Sequence, residues 1–144
     1  MSLSGLKNAI DEKSGYVGIS PTNTTLDKEA LNAFDMVASP DSPDLVIELI
    51  DLYLKSSLQR IMTISKAAAE KQWSLLKQEA HTLKGSSSTL GVRDVAQMCL
   101  ELEKACSCHP PEGVDALVQL LEYKFAKARQ ALTAERQRRL QQFF

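Results

Sequence analysis

The sequence predicts an all-α protein: an antiparallel up-and-down four-helix bundle with an additional short N-terminal helix. Apolar residues recur at steps of three and four from Leu26 almost to the C-terminus, the spacing of one face of an α-helix. No segment shows the strict alternation or the runs of β-branched residues that are typical of strands. Proline and glycine interrupt the apolar stripes, so the helices are expected to be joined by short turns.

The N-terminal part of this 144-residue chain divides into a tail and a short first helix. Residues 1–24 mix Ser, Gly, Thr and Asn with scattered apolar residues and predict a flexible tail. The bundle domain is expected to span residues 25–135, and residues 136–144 to form a basic helix end or tail. The first helix is predicted to begin after the candidate caps Thr24 and Thr25. Its apolar positions are Leu26, Ala30, Phe34 and Val37.

Two long amphipathic helices follow the proline-rich corner at residues 39–43. The first is expected to run to about Glu70, with a stripe formed by Val46, Ile50, Tyr53, Ser57, Ile61, Ile64 and Ala68. The second is predicted from Gln72 to about Leu90, with an apolar side formed by Leu75, Leu76, Leu83 and Leu90. Glu79 falls near this apolar side, against the pattern.

The last two helices are separated by His109-Pro110-Pro111. Gly91 is expected to end the helix before them. The first of the two is predicted from the stripe Val95, Cys99, Leu102 and Cys106. The final helix is expected to begin near Glu112, with a stripe formed by Val114, Leu117, Leu121, Phe125, Ala128 and Leu132.

The composition limits the classes of function. A formal net charge of −1 gives the chain no strong attraction to nucleic acid or to an anionic membrane. No apolar run approaches the roughly 20 residues of a membrane span, and the N-terminus lacks the pattern of a signal peptide. A cytoplasmic protein is therefore expected. Three clustered cysteines do not form a disulfide framework, which favours reduced thiols.

The segment from His81 to Gly91 contains one of the two histidines of the chain. On a helical wheel His81, Lys84 and Gly85 share one polar face, with Gln78 and Ser88 beside them. A histidine on such a face is most often a solvated side chain. A glycine in mid-helix, however, costs about 1 kcal/mol relative to alanine. Gly85 therefore indicates that a partner needs to approach the backbone closely here.

This segment resembles the motif of histidine-containing phosphotransfer (HPt) domains. The matching residues are Ala80 to Ser88, Leu90-Gly91, Cys99 and Leu102-Glu103. The family's first two helices are similar to Leu26-Asp27, Ala30-Leu31 and Asp44 to Leu54, so the resemblance covers roughly residues 26–132. A short His-x-x-Lys-Gly string is weak alone, but the flanking helical pattern makes the likeness specific.

The resemblance implies that His81 is a phosphoacceptor. Phosphate would pass from aspartate to histidine to aspartate between response-regulator receiver domains, one of them in a hybrid sensor histidine kinase. Lys84 and Gly85 correspond to the family's lysine and glycine. The chain would be a phosphocarrier without autonomous kinase activity and without a cofactor, since Mg²⁺ would belong to the receiver. We expect a monomer on whose His81 face receivers dock, aided by apolar residues of the first two long helices.

The residue types suit this chemistry. Phosphoryl transfer needs an in-line nucleophile and compensation of charge, with little further covalent work for the protein. Neutral imidazole offers a lone pair at cytosolic pH. The product carries roughly two extra negative charges, which Lys84 can partly offset from one turn away. Gly85 leaves room for the receiver, and Gln78 and Ser88 are the expected supporting polar neighbours.

Two interpretations of Glu103 stay open. The family carries a polar partner for the histidine at this position, glutamine in some phosphorelay modules and glutamate in the phosphoacceptor domains of chemotaxis-type kinases. Glu103 either accepts a hydrogen bond from Nδ1 of His81, which would leave Nε2 free, or only adds to the polar face of its own helix. The glutamate slightly favours an alternative function, a phosphoacceptor module of a larger chemotaxis-type or hybrid kinase.

Other features of the sequence suggest weaker alternatives. An alternative from another class of function is a helical adaptor, which binds a partner and whose histidine is never modified. No metal site is expected, because the usual Cys-x2–4-Cys spacing of zinc ligands is absent among Cys99, Cys106, Cys108 and His109. The basic residues Arg136, Arg138 and Arg139 are interpreted as a solvated helix end, favoured by the helix dipole, with binding of an anionic partner as the less favoured alternative.

Overall fold

A computed structural model describes residues 26–36 and 45–142, and five α-helices lie within these ranges. Their bounds are Lys28–Asn32 (α1, continued by a 3-10 turn at Ala33–Met36), Leu45–Ala69 (α2), Trp73–Thr89 (α3), Arg93–Cys106 (α4) and Val114–Gln141 (α5). The described residues contain no strand. Within the same ranges, no helix is both long enough and apolar enough to cross a membrane.

The four long helices form a closed ring. Helix α2 packs against α3 and α5, and α4 packs against the same two helices, so each helix has two neighbours. Side-chain pairs give the direction. Tyr53 hydrogen-bonds Ser87 at 2.7 Å, while Arg60, two turns later on α2, binds Glu79, two turns earlier on α3. Helices α2 and α3 are therefore antiparallel, and so are α2 and α5, since Asp51 near the start of α2 binds Arg136 near the end of α5. The predicted four-helix bundle with a short additional helix is confirmed.

The predicted apolar stripes form most of the core. All seven predicted positions of α2 and all four of α4 are buried. The structure differs from the prediction at three places: Leu75 is 38% exposed, Val118 is more deeply buried than Leu117, and in α1 the fully buried residue is Leu31 rather than Ala30 or Phe34. Glu79 fits its place beside the core because Arg60 lies 2.6 Å from its carboxylate. An ion pair therefore compensates the charge that the apolar pattern did not explain.

The N-terminal helix begins at a different cap from the one predicted. The carboxylate of Asp27 accepts hydrogen bonds from the backbone of Glu29 and Ala30, so Asp27 is the N-cap of α1. The predicted caps Thr24 and Thr25 are therefore wrong, and both lie outside the described residues. Val37 and the predicted tail at 1–24 also lie outside the described residues.

Two contacts fix α1 against the turn between α3 and α4. The backbone N–H of Asp27 donates to the carbonyl of Gly91 at 2.7 Å, and Arg93 binds the Asp27 carboxylate at 2.6 Å. Gly91 adopts a φ of +81°, and a Cβ there would lie 2.6 Å from the Asp27 carbonyl oxygen. The turn therefore needs glycine for its conformation and for the approach of α1.

The basic C-terminal residues are not simply a solvated helix end. Helix α5 continues to Gln141, and Arg139 is only 4% exposed. Its guanidinium binds Glu135 at 2.8 Å and reaches Asn32 and Asp35 beside α1. The interpretation as a solvated end is wrong for Arg139, because tertiary packing buries this side chain between the last turns of α5 and the segment that contains α1.

Candidate functional site

His81 lies in the middle of α3 on the face that points away from the core. The buried residues of this helix are Leu76, Ala80, Leu83 and Ser87. With 3.6 residues per turn, that stripe leaves His81 on the outside. Its side chain is 69% exposed. The bundle therefore presents an imidazole to solvent on a rigid helix.

Glu103 of α4 binds both basic groups of the motif. One carboxylate oxygen lies 3.2 Å from Nδ1 of His81, and the other lies 2.6 Å from Nζ of Lys84. The Glu103 side chain is only 16% exposed. Of the two interpretations that the sequence left open for Glu103, contact with the histidine is the one observed.

This contact selects the tautomer of His81. Burial acts to raise the pKa of Glu103, but the hydrogen bonds from Lys84 and His81 outweigh it and hold that pKa below its ordinary value. Glu103 is therefore a carboxylate at neutral pH and can only accept hydrogen bonds. The proton between the two side chains must lie on Nδ1. In the neutral ring, Nε2 keeps its lone pair and faces away from this contact.

Lys84 is half-buried, and its ammonium is engaged with Glu103 rather than free in solvent. The sequence placed this lysine on the histidine face, one turn away, and the structure has it there. Its partner was not predicted. Because Lys84 and His81 share one carboxylate, a change at either side chain alters the electrostatic environment of the other.

Gly85 occupies an open position on the same face. A Cβ built at this glycine would meet no atom within 4 Å. Packing inside the chain therefore gives no reason for glycine here, although alanine would favour the helix by about 1 kcal/mol. The open surface leaves space for another molecule directly beside the histidine.

Gln78 and Ser88 are both exposed on α3, and neither hydrogen-bonds His81 within the described residues. Ser88 lines a shallow groove between α3 and α4 together with Lys84, Arg93 and Gln97. The structure thus places both residues on the histidine face without giving either a direct contact to the ring.

The three cysteines lie among the described residues as free thiols. Across residues 26–36 and 45–142, no three His, Cys, Asp or Glu side chains are grouped closely enough to hold a metal ion. Cys99 and Cys106 are buried as free thiols, and Cys108 is an exposed free thiol. Burial raises the pKa of Cys99 to about 12, which disfavours the nucleophilic thiolate at neutral pH.

Comparison with curated proteins finds two relatives in Arabidopsis thaliana. Histidine-containing phosphotransfer protein 2 is 31% identical over 93 residues, which cover 61% of this chain and 60% of that protein. Histidine-containing phosphotransfer protein 5 is 30% identical over 87 residues, which cover 58% of this chain and 55% of that protein. The matched part of the chain thus spans less than two thirds of the length of either relative.

Solved structures show the same fold. Histidine-containing phosphotransfer protein B from Pseudomonas aeruginosa superimposes with a TM-score of 0.72 at 28% identity, over 83% of this chain and 97% of that one. A rice protein classed with the histidine-containing phosphotransfer proteins gives a TM-score of 0.72 at 19% identity, covering 96% of each chain. The second likeness concerns the fold alone.

The family comparison covers the bundle and its histidine face together. The model of the Hpt domain matches residues 48–142, which include all four long helices apart from the first turn of α2. This match takes in well over half of the chain, and it contains His81, Lys84, Gly85 and Glu103. The chain therefore belongs to the Hpt domain family.

Proposed function

We propose that this chain accepts a phosphoryl group on His81 from the aspartate of one receiver domain and passes it to the aspartate of another. The observation that supports this most directly is the geometry of the imidazole. The His81 side chain is 69% exposed, and Nδ1 lies 3.2 Å from the Glu103 carboxylate. Nε2 is thereby left as a free nucleophile that a partner can reach. Membership of the family and the names of the relatives support the same function.

The transfer is a displacement at phosphorus. The lone pair of His81 Nε2 forms the N–P bond while the P–O bond to the donor aspartate breaks, and the electron pair of that bond leaves with the aspartate carboxylate. Nδ1 keeps its proton, so the ring acquires positive charge as the N–P bond forms. The Glu103 carboxylate, 3.2 Å away, offsets that charge. The second transfer reverses these steps toward the next aspartate.

Lys84 and Gly85 have separate roles in this proposal. The Lys84 ammonium, 2.6 Å from Glu103, holds the carboxylate in place and offsets part of the roughly two negative charges that arrive with the phosphoryl group. Gly85 leaves the helix backbone open for the loops of the receiver. We expect Lys84→Ala to slow transfer while the helical content is unchanged.

The partners in this proposal are receiver domains, including that of a hybrid sensor histidine kinase. Contiguous exposed apolar patches are typical of contact areas. Helices α2 and α3 carry four large exposed apolar side chains, Leu52, Leu58, Met62 and Leu75, but Leu58 and Met62 line a groove between α2 and α5, across the bundle from the histidine face. We propose that the receiver supplies the Mg²⁺. Because one chain provides every site residue, a monomer suffices as the transferring unit, and we place it in the cytoplasm with its receivers.

The test is transfer of ³²P from a panel of phosphorylated receivers. We expect acid-labile label on the wild-type chain and on His109→Gln, which removes the other histidine, but no label on His81→Gln. Equal label on wild type and His81→Gln would refute the role of His81. No label from any receiver would instead favour a helical adaptor that is never phosphorylated.

Glu103 favours a second candidate function. A glutamate at this position resembles the phosphoacceptor domains of chemotaxis-type kinases, so the chain would be one module of a larger kinase. A kinase domain encoded in the same reading frame, or label transferred to His81 directly from a histidine kinase and ATP, would support this function. Label that comes only from receivers would support the phosphorelay.

A further inference from the structure

Lys77 is a second cation on the histidine face, one turn before His81 as Lys84 is one turn after it. All three residues lie within the regular helix α3, where side chains three and four positions apart are neighbours. Lys77 is exposed, and among the described residues its ammonium has neither an ion pair nor a hydrogen bond. Lys84, in contrast, lies 2.6 Å from Glu103.

The contacts of His81 and Lys84 with Glu103 show on which side of α3 this face lies, and Lys77 shares the face by its helical spacing. Burial raises the pKa of the Cys106 thiol, and the positive charge of Lys77 opposes that rise. Cys106 belongs to α4, as does Glu103, which binds His81 and Lys84. Lys77, His81 and Lys84 therefore line the same side of α3, next to α4.

The charges on this face leave one cation uncompensated. Glu103 neutralises one of the two lysines, and with a neutral imidazole the net charge of the face is +1. Without Lys77 the net charge of the face would be zero. A phosphoryl group with roughly two negative charges would then arrive near the Glu103 carboxylate with no surplus positive charge to offset it. The charge of Lys84 is shared between Glu103, 2.6 Å away, and the phosphoryl group. Lys77 has no such carboxylate partner among the described residues.

We propose that Lys77 binds the phosphoryl group on Nε2 of His81, so that the phosphohistidine is held between two ammonium groups. This inference rests on the proposed function, in which the N–P bond forms as the P–O bond to the donor aspartate breaks. Lys77 forms no covalent bond and transfers no proton. It offsets the charge on the phosphoryl oxygens during arrival and in the product.

The effect of a single exposed cation is modest and depends on salt. Exposed ion pairs change equilibria by a small factor, so we expect Lys77→Ala to slow transfer by about two- to fivefold. Lys77→Glu should slow it further. Both differences should shrink between 50 and 300 mM salt, because a shorter Debye length screens the interaction of exposed charges more strongly. Alanine favours the helix, so the variant should fold.

The first experiment measures transfer from a phosphorylated receiver in wild type, Lys77→Ala, Lys77→Glu and Lys127→Ala. Lys127 is a matched exposed lysine on α5, diagonally across the bundle from α3, where its ammonium lies over the ring of Tyr123. We expect Lys127→Ala to transfer at the wild-type rate. If wild type is labelled on His81 and the Lys77 variants match its rate at low salt, this inference fails while the proposed function stands.

The second experiment needs no receiver, so it separates phosphate binding from docking. His81 is phosphorylated with phosphoramidate, and the second pKa of the phosphoryl group is followed by ³¹P NMR. A nearby cation lowers that pKa, so Lys77→Ala should raise it by about 0.3–0.7, the logarithm of a two- to fivefold effect. An unchanged phosphoryl pKa would overturn the inference, even if the rate with receivers falls, since Lys77 would then contact only the receiver.

Discussion

The carboxylate of Glu103 lies 3.2 Å from Nδ1 of His81 and thereby determines which ring nitrogen can act as a nucleophile. The two residues are 22 positions apart on neighbouring helices. Because the carboxylate accepts a hydrogen bond from Nδ1–H, Nε2 is the nitrogen that carries the lone pair of the neutral ring. The same carboxylate binds Lys84, so one side chain of α4 organises the charged face of α3.

Loss of the Glu103 carboxylate should slow transfer. We expect Glu103→Ala to lower the rate about tenfold, because a hydrogen bond to a charged group contributes about 1.5 kcal/mol. Glu103→Gln retains an oxygen acceptor for Nδ1 of His81 but loses the negative charge, so its rate should lie between those of wild type and Glu103→Ala. Initial rates from a phosphorylated receiver measure both effects. Glu101→Ala, on the same helix, is the control, and an equal rate for Glu103→Ala and wild type would exclude this role.

Substitutions at Gly85 should separate folding from access. Its Cβ position is empty within 4 Å, so Gly85→Ala should raise the free energy of unfolding by up to about 1 kcal/mol. Gly85→Gln should also fold but weaken receiver binding by about tenfold or more, equivalent to 1.4 kcal/mol. Urea denaturation and titration calorimetry provide the two measurements. An unaltered dissociation constant for Gly85→Gln would refute the argument from access.

Alanine at Gly91 should destabilise the fold. A Cβ there would lie 2.6 Å from the Asp27 carbonyl oxygen and 3.0 Å from the Ala30 side chain, at a φ of +81°. We expect a loss of about 2–3 kcal/mol in the free energy of unfolding, from strain and displacement of α1. Gly113→Ala is a control, since its φ is +69° but no atom lies within 4 Å. It should lose only about 1 kcal/mol, and equal losses would contradict the proposed clash with α1.

Removal of the Arg139 charge should leave a buried carboxylate partly uncompensated. Arg139 and Glu135 are 4% and 3% exposed and 2.8 Å apart. We expect Arg139→Met to cost about 3 kcal/mol of unfolding free energy, although Arg138 still binds Glu135. Arg129→Met, exposed on the same helix, should change stability by no more than about 0.5 kcal/mol. Chemical denaturation measures the unfolding free energy of both variants, and equal losses would show that burial of the Arg139–Glu135 pair does not contribute to stability.

The contribution of Glu103 to stability should disappear in acid. Its folded-state pKa lies below the unfolded value of about 4.3, so the ionised form is favoured by folding. That stability is fully present above the unfolded pKa and is lost as the pH falls through the folded pKa. Unfolding free energies of wild type and Glu103→Gln should therefore differ at pH 6 and converge toward pH 3. Glu135, whose pKa is also lowered, is common to both proteins and cancels in the comparison.

The helices and the exposure of His81 follow from local periodicity. A stripe repeated every three or four residues must face the core wherever the helix packs, and all seven predicted positions of α2 do so. The same rule places His81 outside, opposite Leu83 and Leu76. The prediction of burial fails at Leu75, which lies at the edge of the apolar stripe of α3 and is 38% exposed, whereas its neighbour Leu76 is fully buried.

The sequence by itself therefore determined the helical fold, the polar face of His81, Lys84 and Gly85, and the resemblance to the Hpt family. Only the tertiary structure decided that Glu103 binds both His81 and Lys84, that Asp27 caps α1 against Gly91, and that Arg139 is buried. Periodicity is a property of one helix. Contacts between helices depend on their rotation and relative register, which many packing interactions set together.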